Sequence, residues 1–250
     1  MRKNFIRYLI YVFVAVAVLV AIAAWYLDPY QPDDAAMQAM RDGDGVNVTE
    51  RGGLIVFEGG ENIPPGIILY PGGLVGPESY APLARLMAMS GHRTVIVKMP
   101  LNLAFTGVDR ANDVLLAYPE EPFVIGGHSL GGTMASRYAA SHPERVLGTF
   151  FLASYPDQKG SLKEKTIPVL SLIGSRDGVV NSSAYEMARQ YLPDNTVYLK
   201  IPGGNHAQFG SYGAQKGDQP AAIPPGDQWQ QTAAVLKEWM KSTVAGLDRK

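Results

Sequence analysis

The chain has 250 residues, 46% of them hydrophobic and 18% charged, with a formal net charge of −1. That is globular composition with room for one large domain, and near-neutrality with no basic run beyond the first residues excludes nucleic acid as an electrostatic partner. The sequence has no cysteine, so disulfides, thiolate metal sites and a cysteine nucleophile are excluded together.

The first element is apolar. Tyr8 to Leu27 contains no charged residue, and as a helix it would span about 30 Å, one bilayer core. Arg2, Lys3 and Arg7 precede this run, Asp28, Asp33 and Asp34 follow it, and Trp25 and Tyr26 close it. The pattern predicts an uncleaved transmembrane signal anchor over residues 1–27, with the N-terminus cytoplasmic, the remainder extracytoplasmic and the membrane as a partner. The competing expectation is a signal peptide cleaved near Ala21-Ile22-Ala23. Residues 28–45 read as a polar juxtamembrane linker holding a short helix, and residues 46–250 as one folded domain.

Within that domain, strands alternate with helices. Residues 46–59 read as two strands joined across Gly52-Gly53, and 66–73 as a buried strand ending in glycines. Residues 77–91 have helical spacing and a glycine stop. The alternation continues with a strand at 93–99, a helix at 107–119, a strand at 122–129 and a helix at 130–143. Strands at 145–154 and 167–175, a helix at 182–192, a strand at 195–204 and an amphipathic helix at 227–246 complete the chain. Continuous Val/Ile/Leu runs between helices predict a mostly parallel sheet covered on both faces.

Where the strand at 122–129 meets its helix, the sequence reads Gly127-His128-Ser129-Leu130-Gly131. This G-x-S-x-G in a strand–turn–helix context predicts a strained elbow that lifts the Ser129 hydroxyl above the sheet edge. The competing reading is a glycine-rich turn for phosphate, but no lysine or ribose-binding acid is placed for it.

A serine nucleophile needs a base, and the base an orienting acid. Of four histidines, His92 opens a strand, His142 ends a helix, and His128 should point away from its neighbour Ser129. His206, in the loop after the last strand, lies on the serine's edge and is the expected base. Asp177, directly after a strand, is the expected acid, with Asp157 as rival. For the oxyanion hole, the N–H of Leu130 is one expected donor. Gly73 is the other, with Leu74 as its alternative.

The order Ser129, Asp177, His206 and the alternation of elements over about residues 46–248 resemble the α/β-hydrolase superfamily. The resemblance implies a three-layer α/β-hydrolase fold, preceded here by the transmembrane helix. Residues 70–91 look like the oxyanion loop and first helix of that superfamily, with Pro71 where many members have histidine. The core is similar to small dienelactone-hydrolase-like members, whose nucleophile is cysteine; Ser129 favours an esterase-like activity instead. Only 155–166 connects the strands between which many members insert a lid, so no cap domain is expected and the site is open.

The loop at 207–225 lacks periodicity, and Phe209 and Tyr212 are expected to line a wall of the substrate site, with packing on the domain as the alternative. Lys98 and Asn102 are further candidates for the crevice. No cluster has metal-ligand spacing, so no metal or cofactor is expected. The implied function is a membrane-anchored serine hydrolase acting on a small-molecule ester or thioester. An acyltransferase with the same residues and a non-catalytic anchored binding protein are the alternatives.

Overall fold

A computed structural model describes residues 7–18 and 28–247. Eight strands form one sheet: β1 (Asn47–Arg51), β2 (Leu54–Glu58), β3 (Gly66–Tyr70), β4 (Thr94–Val97), β5 (Phe123–His128), β6 (Thr149–Leu152), β7 (Val169–Gly174) and β8 (Val197–Ile201). Their order is β1-β2-β4-β3-β5-β6-β7-β8. The hairpin β1–β2 and the pair β2–β4 are antiparallel, and every other neighbour is parallel.

The helices are α1 (7–18), α2 (Asp34–Ala39), α3 (Ala81–Met89), α4 (Ala111–Ala117), α5 (Leu130–Ser141), α6 (Ser182–Ala188) and α7 (Pro225–Leu247). Side chains alternate across the sheet with period two. On β3, Ile67 and Leu69 therefore face a core made with α3 and α7, where Leu83, Met87, Leu236 and Trp239 are buried. Ile68 and Tyr70 face the opposite core, made with α4 and α5 through Val114, Met134 and Tyr138. A sheet buried on both faces explains why its strands read as continuous apolar runs.

The chain leaves β3 through α3 toward β4, then returns across β3 to β5 and leaves through α5 toward β6. Neighbouring strands β3 and β5 thus send their helices to opposite faces. That arrangement opens a crevice at their carboxyl ends, the position where open α/β sheets bind ligands.

One expectation about the N-terminal part is corrected. Among the described residues no helix is long and apolar enough to cross a membrane. Of the expected span, residues 7–18 are described, and they are helical. The rest of the expected span, 19–27, and the Ala21-Ile22-Ala23 site lie outside the described residues. The transmembrane helix, the signal anchor and the single-pass extracytoplasmic placement are withdrawn, as is the membrane as a partner.

Residues 28–45 hold a short helix, α2, and make contacts with the domain. Asp33 caps α2 by accepting Ala36 N–H at 3.1 Å, and Ala36 and Ala39 are buried. Tyr30 pairs with the loop after β3, donating from its N–H to Leu74 O at 2.8 Å and accepting Gly76 N–H at 2.9 Å. Two expected helices also begin later than their spacing suggests. Residues 77–80 and 108–110 are 3-10 turns ahead of α3 and α4. In the first case, Pro77 and Pro82 occupy opening turns, where a missing N–H breaks no bond.

Candidate active site

Strained backbone is concentrated at the carboxyl edge of the sheet. Six non-glycine residues among those described have a left-handed φ, and five of them follow β3 to β6: Leu74, Leu101, Asn102, Ser129 and Ala153. Side chains other than glycine enter this region rarely, and they persist there only when their surroundings hold them.

Ser129, the expected nucleophile, takes φ 49° and ψ −124° between β5 and α5. Its N–H donates to Leu152 O at 3.0 Å, and its carbonyl accepts the Ser154 hydroxyl at 2.5 Å and Gly132 N–H at 3.1 Å. The flanking glycines are dictated by space. A Cβ on Gly127 would lie 2.5 Å from Tyr70 O and 2.6 Å from the Gly131 carbonyl carbon. One on Gly131 would run into the carbonyl oxygens of Tyr70 and Pro71. The strand end, the helix start and the end of β3 share a volume that admits no side chains, and the turn they force points Ser129 outward. Its Oγ has no hydrogen-bond partner among the described residues.

His206 follows β8 and is 1% exposed. Its Nδ1 lies 2.9 Å from Asp177 Oδ2, in the loop after β7. Asp177 Oδ1 accepts Val179 N–H at 2.9 Å and Val180 N–H at 2.8 Å. An ionised carboxylate only accepts, so Nδ1 carries the ring proton and Nε2 presents a lone pair. That Nε2 is buried and has no partner among the described residues. The His206 ring lies against His128, the residue before Ser129, with centroids 4.5 Å apart. A hydrogen bond between such a base and its serine is frequently long in a ligand-free site and closes in the complex.

At the expected oxyanion donors, the structure separates Gly73 from its alternative. Leu74 N–H is taken by Asn102 O at 2.7 Å. Gly73 N–H and Leu130 N–H have no acceptor among the described residues. The two residues are adjacent, since a Cβ on Gly73 would sit 3.0 Å from Leu130 Cδ2. Leu130 also begins α5, where the free N–H groups and the helix dipole favour negative charge.

The loop that carries His206 is stapled from elsewhere in the chain. Asp218 Oδ2 accepts Ala207 N–H at 2.9 Å, while its Oδ1 accepts Gly178 N–H at 2.9 Å, so one carboxylate ties the histidine loop to the aspartate loop. Gln228, fully buried on α7, accepts Asn205 N–H at 3.0 Å and donates to Asn205 O at 2.9 Å. Asn205 itself donates to Gln219 O at 2.8 Å and accepts Gln208 N–H at 3.0 Å. From the N-terminal segment, Tyr30 OH accepts Lys216 N–H at 3.2 Å, and Asp33 accepts the Ser211 hydroxyl. None of Ser154, Asp218, Asn205 or Gln228 is foreshadowed by a motif.

The remaining sequence candidates have partners of their own. Asp157 pairs with Arg137, accepting its Nε at 3.0 Å, and caps Gly160 N–H at 3.0 Å. His92 contacts Pro65 O and His142 contacts Tyr138 O. Lys98 pairs with Glu50 at 2.6 Å and Glu78 at 3.0 Å. Phe209 and Tyr212, expected to line a wall, are instead 1% and 6% exposed in the core beneath α3 and α7. Tyr212 OH donates to Gln215 Oε1 at 2.9 Å. His128, expected to point away, is buried beside His206. A groove of about 570 Å³ between α2, α3 and α7 contains none of the serine, histidine or aspartate.

Comparison with known proteins places this architecture. The profile described as "Alpha/beta hydrolase family" matches residues 66–230, well over half of the chain. The chain belongs to the alpha/beta hydrolase family. No curated protein matches it by sequence.

Similar solved structures include an alpha/beta hydrolase enzyme from the metagenome of sediments from the lagoon of Mar Chica, Morocco. Its TM-score is 0.58 at 16% identity, covering 78% of this chain and 98% of that one. Est1E from Butyrivibrio proteoclasticus has a TM-score of 0.56 at 15% identity, covering 81% and 100%. A membrane phospholipase A described as a bacterial virulence factor has a TM-score of 0.58 at 17% identity, covering 96% and 99%. At such identities the likeness is one of fold.

Proposed function

We propose that the chain is a serine hydrolase that cleaves a carboxylic ester or thioester through an acyl-enzyme. The observation that carries this reading is the 2.9 Å contact between His206 Nδ1 and Asp177 Oδ2, on the same sheet edge as the strained turn at Ser129. In the mechanism, Ser129 Oγ attacks the acyl carbonyl as His206 Nε2 takes its proton. The tetrahedral oxyanion is held by Gly73 N–H and Leu130 N–H. Collapse of that intermediate expels the alkoxide or thiolate, which receives the proton from His206. Water, deprotonated by His206 in turn, attacks the acyl-enzyme, and the acid leaves as His206 returns that proton to Ser129 Oγ. Throughout, Asp177 keeps the proton on Nδ1 and stabilises the imidazolium.

The short connection between β6 and β7 supports the finer reading of an open, cap-less site of dienelactone-hydrolase-like shape with serine in place of cysteine. Within it lies the 3-10 turn Gln158–Gly160. The test is turnover of p-nitrophenyl acetate and butyrate by the wild-type chain and by Ser129→Ala, His206→Ala and Asp177→Asn. Losses of about 10⁴-fold or more are expected for all three. Wild-type rates in the Ser129→Ala variant would refute the reading. Ester consumption that needs an added alcohol and releases no free acid would make the chain an acyltransferase instead.

A further inference from the structure

Below His206 lies a buried polar chain that the hydrolytic steps do not use. Tyr80, in the 3-10 turn Pro77–Tyr80, is fully buried. Its hydroxyl accepts Gly72 N–H at 2.9 Å and lies 2.8 Å from His128 Nδ1. Gly72 precedes the expected oxyanion donor Gly73, His128 precedes Ser129, and the His128 ring touches that of His206. Three parts of the site therefore meet at two side chains.

The proton positions in this chain follow from counting. Gly72 N–H can only donate, so the Tyr80 oxygen accepts there. The single hydroxyl proton has no acceptor among the described residues other than His128 Nδ1. Were Nδ1 protonated, the Tyr80 proton and the His128 Nε2 lone pair would both be buried without partners. With Nδ1 accepting, the Tyr80 proton is satisfied and only Nε2, which has no partner among the described residues, is left unpaired. Burial, and then the neighbouring His206, hold the His128 pKa well below the ordinary histidine value, while burial pushes that of Tyr80 up. Both directions favour the neutral forms that the hydrogen-bond count requires.

We propose that Tyr80 and His128 are positioning residues. The bond from Tyr80 O–H to His128 Nδ1 ties the oxyanion loop, through Gly72, to the strand that ends in Ser129 and to the face on which the His206 ring rests. The proposal rests on Ser129 and His206 acting as nucleophile and base. It predicts that the hydrogen bond, rather than the volume of the His128 ring, sets the rate.

Substitutions at the two positions separate those roles. His128→Phe keeps a ring against Tyr80, His206 and Phe209 but loses the acceptor. His128→Asn loses the ring but keeps an acceptor near the Nδ1 position. Tyr80→Phe removes only the hydroxyl. The experiment measures kcat and KM for p-nitrophenyl acetate in these three variants and in the Tyr80→Phe/His128→Phe pair, with thermal melting as the check on folding.

Tyr80→Phe and His128→Phe are each expected to lower kcat about tenfold to a hundredfold with KM nearly unchanged. The pair should be no slower than its slower member, and His128→Asn should retain more kcat than His128→Phe. A faster His128→Phe than His128→Asn, or strictly multiplicative losses in the pair, overturns the proposal and leaves the acyl-enzyme mechanism standing. A folded wild-type chain that turns over no ester overturns both together.

Discussion

Ser129 and His206 lie at the same edge of the sheet but are held there by different means. At Ser129, backbone packs on backbone: the glycines of the elbow sit against the Tyr70 and Pro71 carbonyls at the end of β3, and no long side chain is needed. At His206, the loop after β8 makes its decisive contacts with side chains that arrive from Asp177, Asp218 and Gln228, with further ties from Tyr30 and Asp33. Close packing makes a position intolerant of any added atom. A stapled loop tolerates changes of volume but fails when one polar partner is removed, because the remaining buried group loses its bond.

The largest effect should therefore appear on the serine side. Gly131→Ala places a methyl group into two carbonyl oxygens, and overpacking against backbone should destabilise the fold by roughly 3 kcal/mol or more. Urea denaturation would show this as a lowered midpoint, and an unchanged midpoint would break the contrast between the two regions. Next is Gln228→Leu, close in volume but without the amide. It leaves Asn205 N–H and C=O buried and unpaired, at a cost of about 2–4 kcal/mol from two such groups. Asp218→Asn replaces an acceptor by an amide facing two N–H groups. It should lower kcat about tenfold or more by displacing the histidine loop, with a smaller loss of stability, readable by comparing turnover and melting on one preparation.

How legible these regions are in the sequence follows from the same difference. Backbone packing requires glycine at set offsets from the serine, so Gly127, Gly131 and the alternation around them reveal β5, the elbow and α5 directly. His206 and Asp177 are reached by elimination and by their positions after strands. Asp218 and Gln228 are not, because a turn aspartate and a helical glutamine look the same whether solvated or buried. The 28–45 segment is polar enough to read as a linker, since it buries only the small Ala36 and Ala39. Phe209 and Tyr212 lie in a loop without periodicity, and nothing in their spacing says which way they face. The apolar run over 8–27 suggests a membrane span by hydropathy alone, whereas no helix among the described residues is long and apolar enough to cross a membrane.

Smaller effects sharpen the comparison at its margins. Tyr30→Phe removes only the acceptor of Lys216 N–H and should change stability by about 0.5–1 kcal/mol, detectable as a small shift in melting temperature. The Arg137–Asp157 pair, away from the serine, gives the weakest signal. Burial opposes the charge of Asp157, but Arg137 overrides it and holds the carboxyl below its ordinary value. Because the folded-state pKa is the lower one, the stabilisation is present at neutral pH and is lost as pH falls through the acidic carboxylate range. Both side chains are partly exposed, so the loss should be well under 1 kcal/mol. Acid melts of Arg137→Ala should therefore lie slightly below those of the wild type near pH 7 and converge with them at low pH.

The central claim is that the elbow presents an activated Ser129. The most direct measurement is reaction of the full chain with a fluorophosphonate probe, followed by peptide mass spectrometry to locate the adduct, with His206→Ala alongside. The account predicts a single adduct on Ser129 in the wild type and labelling slowed by several orders of magnitude in His206→Ala. A folded wild-type chain that stays unlabelled, or one labelled at another serine such as Ser154, would contradict it.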